Sequence, residues 1–345
     1  MKTYQDSVTG YVVTQYTSGP DRHAKLYFTT ENFSVDDRFF FMQRTDVSNP
    51  YHEVPTGLFR VKVETGEIAQ LADSNYDYFA MHWTKDWGII VRRDGMIMRL
   101  NVHSGEMNDL GMLPRGAQPQ GHLTIANDGR VGCSVQLANK IFALVVLDPD
   151  KSEAEIIHLT DQWIGHAQIC PTDSNLLFYV HETGGDALQR TWIFDINNRT
   201  ACPYYVEKPD EWITHETWTA DGCAIVFMSI PGKIIIGDKD GRHFNTVFCT
   251  KKSIQHPGIT RDRQWVCCDM HWMHKNGLVR GAIALVNPRN GKWEVLAHTK
   301  GDARTGRDHL HPSFNRAGDK ILFSAPDENG TAQVCMIDLQ QVQRP

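Results

Sequence analysis

The sequence predicts an all-β fold, a seven-bladed β-propeller closed by an N-terminal strand. Three observations carry that expectation. Apolar runs are short and rich in Val, Ile, Phe and Tyr, while long amphipathic helical patterns are scarce. Aspartate-bearing turns recur at Asp37, Asp86, Asp128, Asp173, Asp221 and Asp262, with Gly318 in the seventh place. The steps between them are 49, 42, 45, 48, 41 and 56 residues, a period that several strands per unit would fill.

Taken in order, each turn precedes one apolar strand and follows a shorter semi-apolar one. The turns read "SVDDR", "TKDWG", "ANDGR", "PTDSN", "TADGC", "TRDRQ" and "RAGDK". The strands after them include "RFFFMQR", "GIIVRR", "LLFYVHE", "AIVFMSI" and "KILFSAP". Outer hairpins are marked by "VETGE" at 63–67, "VHSGE" at 102–106 and "NPRNGK" at 287–292. After Pro312 the chain has length for only about three more strands. The segment "GYVVTQYT" at 10–17 is therefore expected to complete the last blade, which removes exposed sheet edges. A two-sheet sandwich array fits seven even units less well. The expectation is one propeller domain over 1–345.

Of the 345 residues, 41% are hydrophobic, and the net charge is −6. No global basic field is present to attract nucleic acid or a membrane surface, so an acidic ligand has to be met by local cations. No stretch of 18 apolar residues occurs, and the N-terminus lacks the apolar core of a secretory leader. With eight cysteines in no CxxC pair and several in apolar runs, buried reduced thiols in a cytoplasmic protein are expected. GxSxG, GxGxxG and Walker-type loops are absent. Oligomeric state is not legible.

Inner strands of a propeller all start at one mouth. Reading back from the turns gives His122, His166, His215, His256 and the pair His309/His311, five blades in a row. Blade one offers His23 and Tyr27, and blade two offers His82. Repetition by duplicated ancestry competes with a functional cluster. Imidazole-rich sites suit Zn, Mn, Fe or Ni. His309 and His311 fall on one face of one strand start, and His256 begins the preceding blade. These three form the candidate metal triad, with His215 beside them as a general base.

At these residues the chain resembles the oligogalacturonate lyases, seven-bladed propellers that cleave short pectic oligosaccharides by β-elimination. The stretches are "GHAQICPTD" (165–173), "LLFYVHETGGDALQRTW" (176–192), "THETWTADG" (214–222) and "HLHPSFNRAGDKILF" (309–323). A weaker one spans "YVVTQYTSGPDRHAKLYFTTENFSVDD" (11–37). The resemblance implies manganese held by His256, His309 and His311, His215 as the base, and Arg190 assisting catalysis. Two departures stand out: Gly306 replaces the family's glutamine ligand, and Gly184 or Gly185 replaces a substrate-contacting histidine.

The reaction implied is removal of a uronate's C5 proton by His215 while the cation draws charge from the carboxylate. Arg190 is expected to clamp a carboxylate in bidentate fashion or to steady charge at the reacting centre. His166 and Gln168 are weaker candidates for sugar contacts, and His23, Arg22 and Lys25 for a second uronate at the first blade's mouth. Trp212 and Trp218, flanking His215, are expected in the core. Two alternatives stay open: a non-catalytic propeller binding acidic sugars or a protein partner, and a metal-assisted hydrolase or isomerase.

Overall fold

A computed structural model of the chain describes residues 1–46, 54–182, 188–273, 279–300 and 309–342. It contains seven antiparallel sheets, six built of successive strands and the seventh joining the chain's two ends. Blade one runs through Arg22–Lys25, Phe39–Asp46, Val54–Lys62 and Ile68–Ala72. The innermost strands of blades two to seven are Tyr78–Met81, Thr124–Ile125, Ile164–Ile169, Trp212–Trp218, Ser253–Ile259 and Ser313–Phe314. No described helix is long and apolar enough to cross a membrane.

The apolar runs are continuous because second strands are covered on both faces by neighbouring blades. Trp87–Val91 is buried at every position, and Ala224–Ile230 at all but its last. The buried apolar side chains fall into seven clusters, each spanning two successive blades. Met228, Ile254 and Met270 join blades five and six. Tyr16, Phe33, Phe40, Leu322 and Val334 join blade seven to blade one and so close the ring. Each such side chain contributes about 1.5–3 kcal/mol by leaving water.

The expected closure holds. Val13, Thr14 and Gln15 pair with Ile337, Met336 and Cys335, adding Val12–Gln15 to the three C-terminal strands. Lys2–Gln5 then lies outside it as a fifth strand.

The recurring aspartates have a local cause. Asp128, Asp221 and Asp262 each accept the N–H two residues ahead through Oδ1, the geometry of an Asx turn. Gly222, next in its turn, has φ +63°, and a Cβ there would meet Thr172 Oγ1 at 2.2 Å. In blade one the Asx residue is Asp36, not Asp37. Asp37 instead takes the left-handed position, φ 58°, and accepts the Arg316 and Ala317 N–H groups of blade seven. All eight cysteines are free; Cys202, Cys223 and Cys249 are exposed, whereas the other five are buried as expected.

Candidate metal centre and active site

The inner strands of blades four, five and six each contain a register shift, between Gly165 and Gln168, Thr214 and Thr217, and Gln255 and Gly258. Inside each shift sits one histidine in the left-handed region: His166 at φ 45°, His215 at 57° and His256 at 28°. His311, just before Ser313–Phe314, has φ 45°. A bulge re-aims a side chain that a regular strand would point elsewhere. Left-handed backbone at a non-glycine residue costs on the order of 1–3 kcal/mol. Four imidazoles held in the same costly geometry are a stronger signal than four histidines at similar sequence positions.

The bulges bring distant segments together. Ligand-capable atoms of His256, His309 and His311 all lie within 4.8 Å of one another. The His215 ring is centred 4.0 Å from that of His256, which is 4.1 Å from His311 and 4.7 Å from His309. His256 is buried, and its Nδ1 faces the Asp269 carboxylate at 2.9 and 3.1 Å. His271 Nε2 stands 3.3 Å from the same carboxylate. Asp269 thus takes Nδ1 of His256 and leaves Nε2 as the nitrogen available to a metal. His311 Nε2 is buried with no hydrogen-bond partner, as a ligating nitrogen awaiting a cation would be. The three residues therefore fit a divalent metal of the imidazole-binding class.

Burial lowers the proton affinity of His215 and His311 well below the ordinary imidazole value, and neighbouring imidazoles lower it further. Burial also lowers His256, against the pull of Asp269. For Asp269 burial acts upward, yet His256 and His271 hold it well below the usual carboxylate range. The consistent state is an ionised Asp269 accepting from a neutral His256.

Two aromatic side chains, Tyr27, which the sequence offers at the mouth of blade one, and Phe28, which it does not single out, fill the middle of this ring. Tyr27 stacks on His122 at 4.1 Å and 8° and meets His311 edge-on at 5.0 Å. Phe28 packs 5.3 Å from His256 and 6.1 Å from His215. Both follow Arg22–Lys25, and only the closing of the ring places them against blades three to seven.

The remaining expected residues separate. Arg190 is buried; its Nε donates to Glu216 and its two terminal nitrogens to Glu182, at 3.0 to 3.4 Å. Burial opposes its charge, but Glu216 and Glu182 outweigh that and keep it protonated. It is a buried network member, not a free clamp. His166 stands 3.4 Å from Glu216 and 3.6 Å from Glu182, in the same network. Gln168 is buried and donates to the Glu216 carbonyl at 2.8 Å, so it fastens blade four to blade five. Lys25 is buried too, donating to the Leu26 carbonyl at 2.6 Å; burial lowers it to about 7. Its charge lowers the proton affinity of His122, His256 and His311, so it lies close to the central imidazoles. His23 and Arg22 are half-buried and pair with Arg44 and Thr45 in their own blade. His82 lies toward the turn end of its blade, its Nδ1 accepting from Thr84 N–H. Trp218 is buried as expected, whereas Trp212 is 47% exposed. Strand starts reach the mouth, and Trp212 is the first residue of its strand. Gly184, Gly185 and Gly306 lie outside the described residues.

No family model matches the chain. Among curated proteins it is 24% identical to the oligogalacturonate lyase of Dickeya dadantii, over 94% of this chain and 92% of that one. It is 23% identical to the oligogalacturonide lyase of Pectobacterium atrosepticum over about half of each. Among solved structures, an oligogalacturonate lyase in complex with manganese superimposes with a TM-score of 0.84 at 20% identity, over 99% of this chain and 96% of that chain. The Vibrio parahaemolyticus oligogalacturonate lyase gives 0.84 at 18% identity, covering 98% and 96%. In fold, and in sequence along nearly its whole length, the chain is similar to the oligogalacturonate lyases.

Proposed function

We propose that the protein is a metal-dependent lyase that cleaves uronate-containing oligosaccharides, of the oligogalacturonate type, by β-elimination. The observation that carries this reading is the convergence of His256, His309 and His311 with His215 packed beside them.

His256, His309 and His311 would hold a divalent cation, manganese in keeping with the structural relative, which when bound would lend positive charge to the substrate carboxylate, an effect worth several kcal/mol. His256 and His311, neutral through burial, offer it nitrogen lone pairs, and Asp269 fixes the tautomer of His256. His215, also neutral, takes the C5 proton, which is acidified by the neighbouring carboxylate; such a step is worth roughly 10²–10⁴-fold. Loss of the C4 oxygen then gives a 4,5-unsaturated uronate. Three of the five N–H groups of Arg190 are engaged by Glu216 and Glu182, so two are left to steady a substrate oxygen. Tyr27 and Phe28 wall the site and limit water around the imidazoles.

Incubation of manganese-loaded protein with oligogalacturonates, oligoglucuronates and oligomannuronates tests this directly. Ultraviolet-absorbing unsaturated product is expected from wild type and not from His215→Ala. Binding without product from any of the three series would replace the lyase by a saccharide-binding propeller.

A further inference from the structure

Nine tryptophans occur in the sequence, and among those whose side chains are described only Trp163 and Trp212 are exposed, at 50% and 47%. Their placement is not scattered. Trp163 precedes His166 by three residues and Trp212 precedes His215 by three, so two adjacent blades carry an open indole at equivalent positions. Both lie where the inner strands begin, on the mouth that the bulged histidines face. Their backbones are fixed: the Trp163 carbonyl accepts from Glu182 N–H at 2.9 Å, and Trp212 pairs with Ile230. Leu188 and Val206, 97% and 74% exposed, belong to the same two blades' connections.

An indole buries more apolar surface than most side chains, so leaving two open on adjacent blades forgoes stabilisation unless something covers them. Three strand residues span about 10 Å. A ring seated over either indole is therefore a neighbour of the sugar held at the imidazoles, not that sugar itself. The apolar C–H face of a pyranose suits the electron-rich face of an indole, while its carboxylate edge stays free for cations.

We propose that Trp163 and Trp212 are stacking platforms for the pyranose rings flanking the reacting uronate, so that the rim over blades four and five binds the rest of an acidic oligosaccharide. This rests on the function proposed above, but it can fail separately.

The test uses the full-length manganese-loaded protein with di-, tri- and tetragalacturonate. Trp163→Ala and Trp212→Ala are expected to raise KM roughly five- to tenfold, with kcat little changed. The corresponding Trp→Phe variants should recover most of the loss, and thermal midpoints should match wild type. Trigalacturonate should quench tryptophan fluorescence of the inactive His215→Ala protein, and the quench should shrink when either indole is removed. Wild-type KM in both alanine variants would overturn the proposal, leaving the lyase reading intact. So would a change confined to oligomeric state by light scattering. Should no uronate yield unsaturated product, the lyase reading fails and the quench alone decides: loss of it on removing the indoles sustains the platforms, and no quench ends both.

Discussion

The two ends of the inner strands carry two different repeats. At the turn end, an aspartate recurs and its carboxylate is satisfied by the N–H two residues on, as at Asp128, Asp221 and Asp262. At the mouth, a histidine recurs in left-handed backbone; the fold takes Nδ1 of His256 through Asp269 but leaves ring nitrogens of His215 and His311 over. His215 Nδ1 and His311 Nε2 are buried without a hydrogen-bond partner. Buried polar groups are normally paired, and leaving one unpaired costs about 1–3 kcal/mol. A repeat whose polar atoms are consumed locally builds scaffold; one whose atoms are left over, in strained backbone, marks a site.

The contrast breaks most dramatically at the triad. His256→Ala or His311→Ala should abolish stoichiometric manganese binding, measured by elemental analysis after gel filtration. Elimination activity should fall with it by about 10³-fold or more, since the cation supplies several kcal/mol. His215→Ala should instead keep the metal and lose roughly 10²–10⁴-fold in kcat. Loss of metal from the His215 variant would move that residue into the ligand set.

Asp269→Asn tests the orienting bond to His256. Manganese affinity by isothermal titration should weaken about 10–100-fold, with overall fold by circular dichroism unchanged.

At the turn end the effects are on stability alone. Burial lowers His82 to about 4, so its neutral form is the folded form. Its folded proton affinity is below that of the unfolded chain. The unfolded state therefore gains protons first, and stability falls as pH drops from about 6.5 toward 4. Urea unfolding of His82→Gln should show a shallower decline over that window, and an unchanged slope would assign the acid sensitivity elsewhere. The smallest effect is expected at Asp221→Ala, about 1 kcal/mol by denaturation, with kcat and metal content at wild-type values.

Much of this contrast could be read before folding. The turn spacing counted the blades because an Asx turn needs only residues adjacent in sequence. Closure by residues 10–17 followed from the strands missing after Pro312. The imidazoles that converge were legible as histidines six to nine residues before the turns. What burial would do to the others was not. Lys25 and Gln168 are polar and sit near the right positions, yet each donates to a backbone carbonyl inside the protein, and three N–H groups of Arg190 are taken by Glu216 and Glu182. Trp212 looked like core because tryptophan is large and apolar, but its place as the first residue of an inner strand leaves it at the mouth.

By itself the sequence determined the repeat, the strand order and which residue types stand at each strand start, since these depend on local periodicity and turn chemistry. Only the closed ring decided which nitrogens meet: that His215 lies against His256, that Asp269 claims one nitrogen of His256, and that Tyr27 and Phe28 fill the axis. Those contacts join residues more than forty positions apart, or across a bulge that redirects a side chain, and no local pattern encodes either.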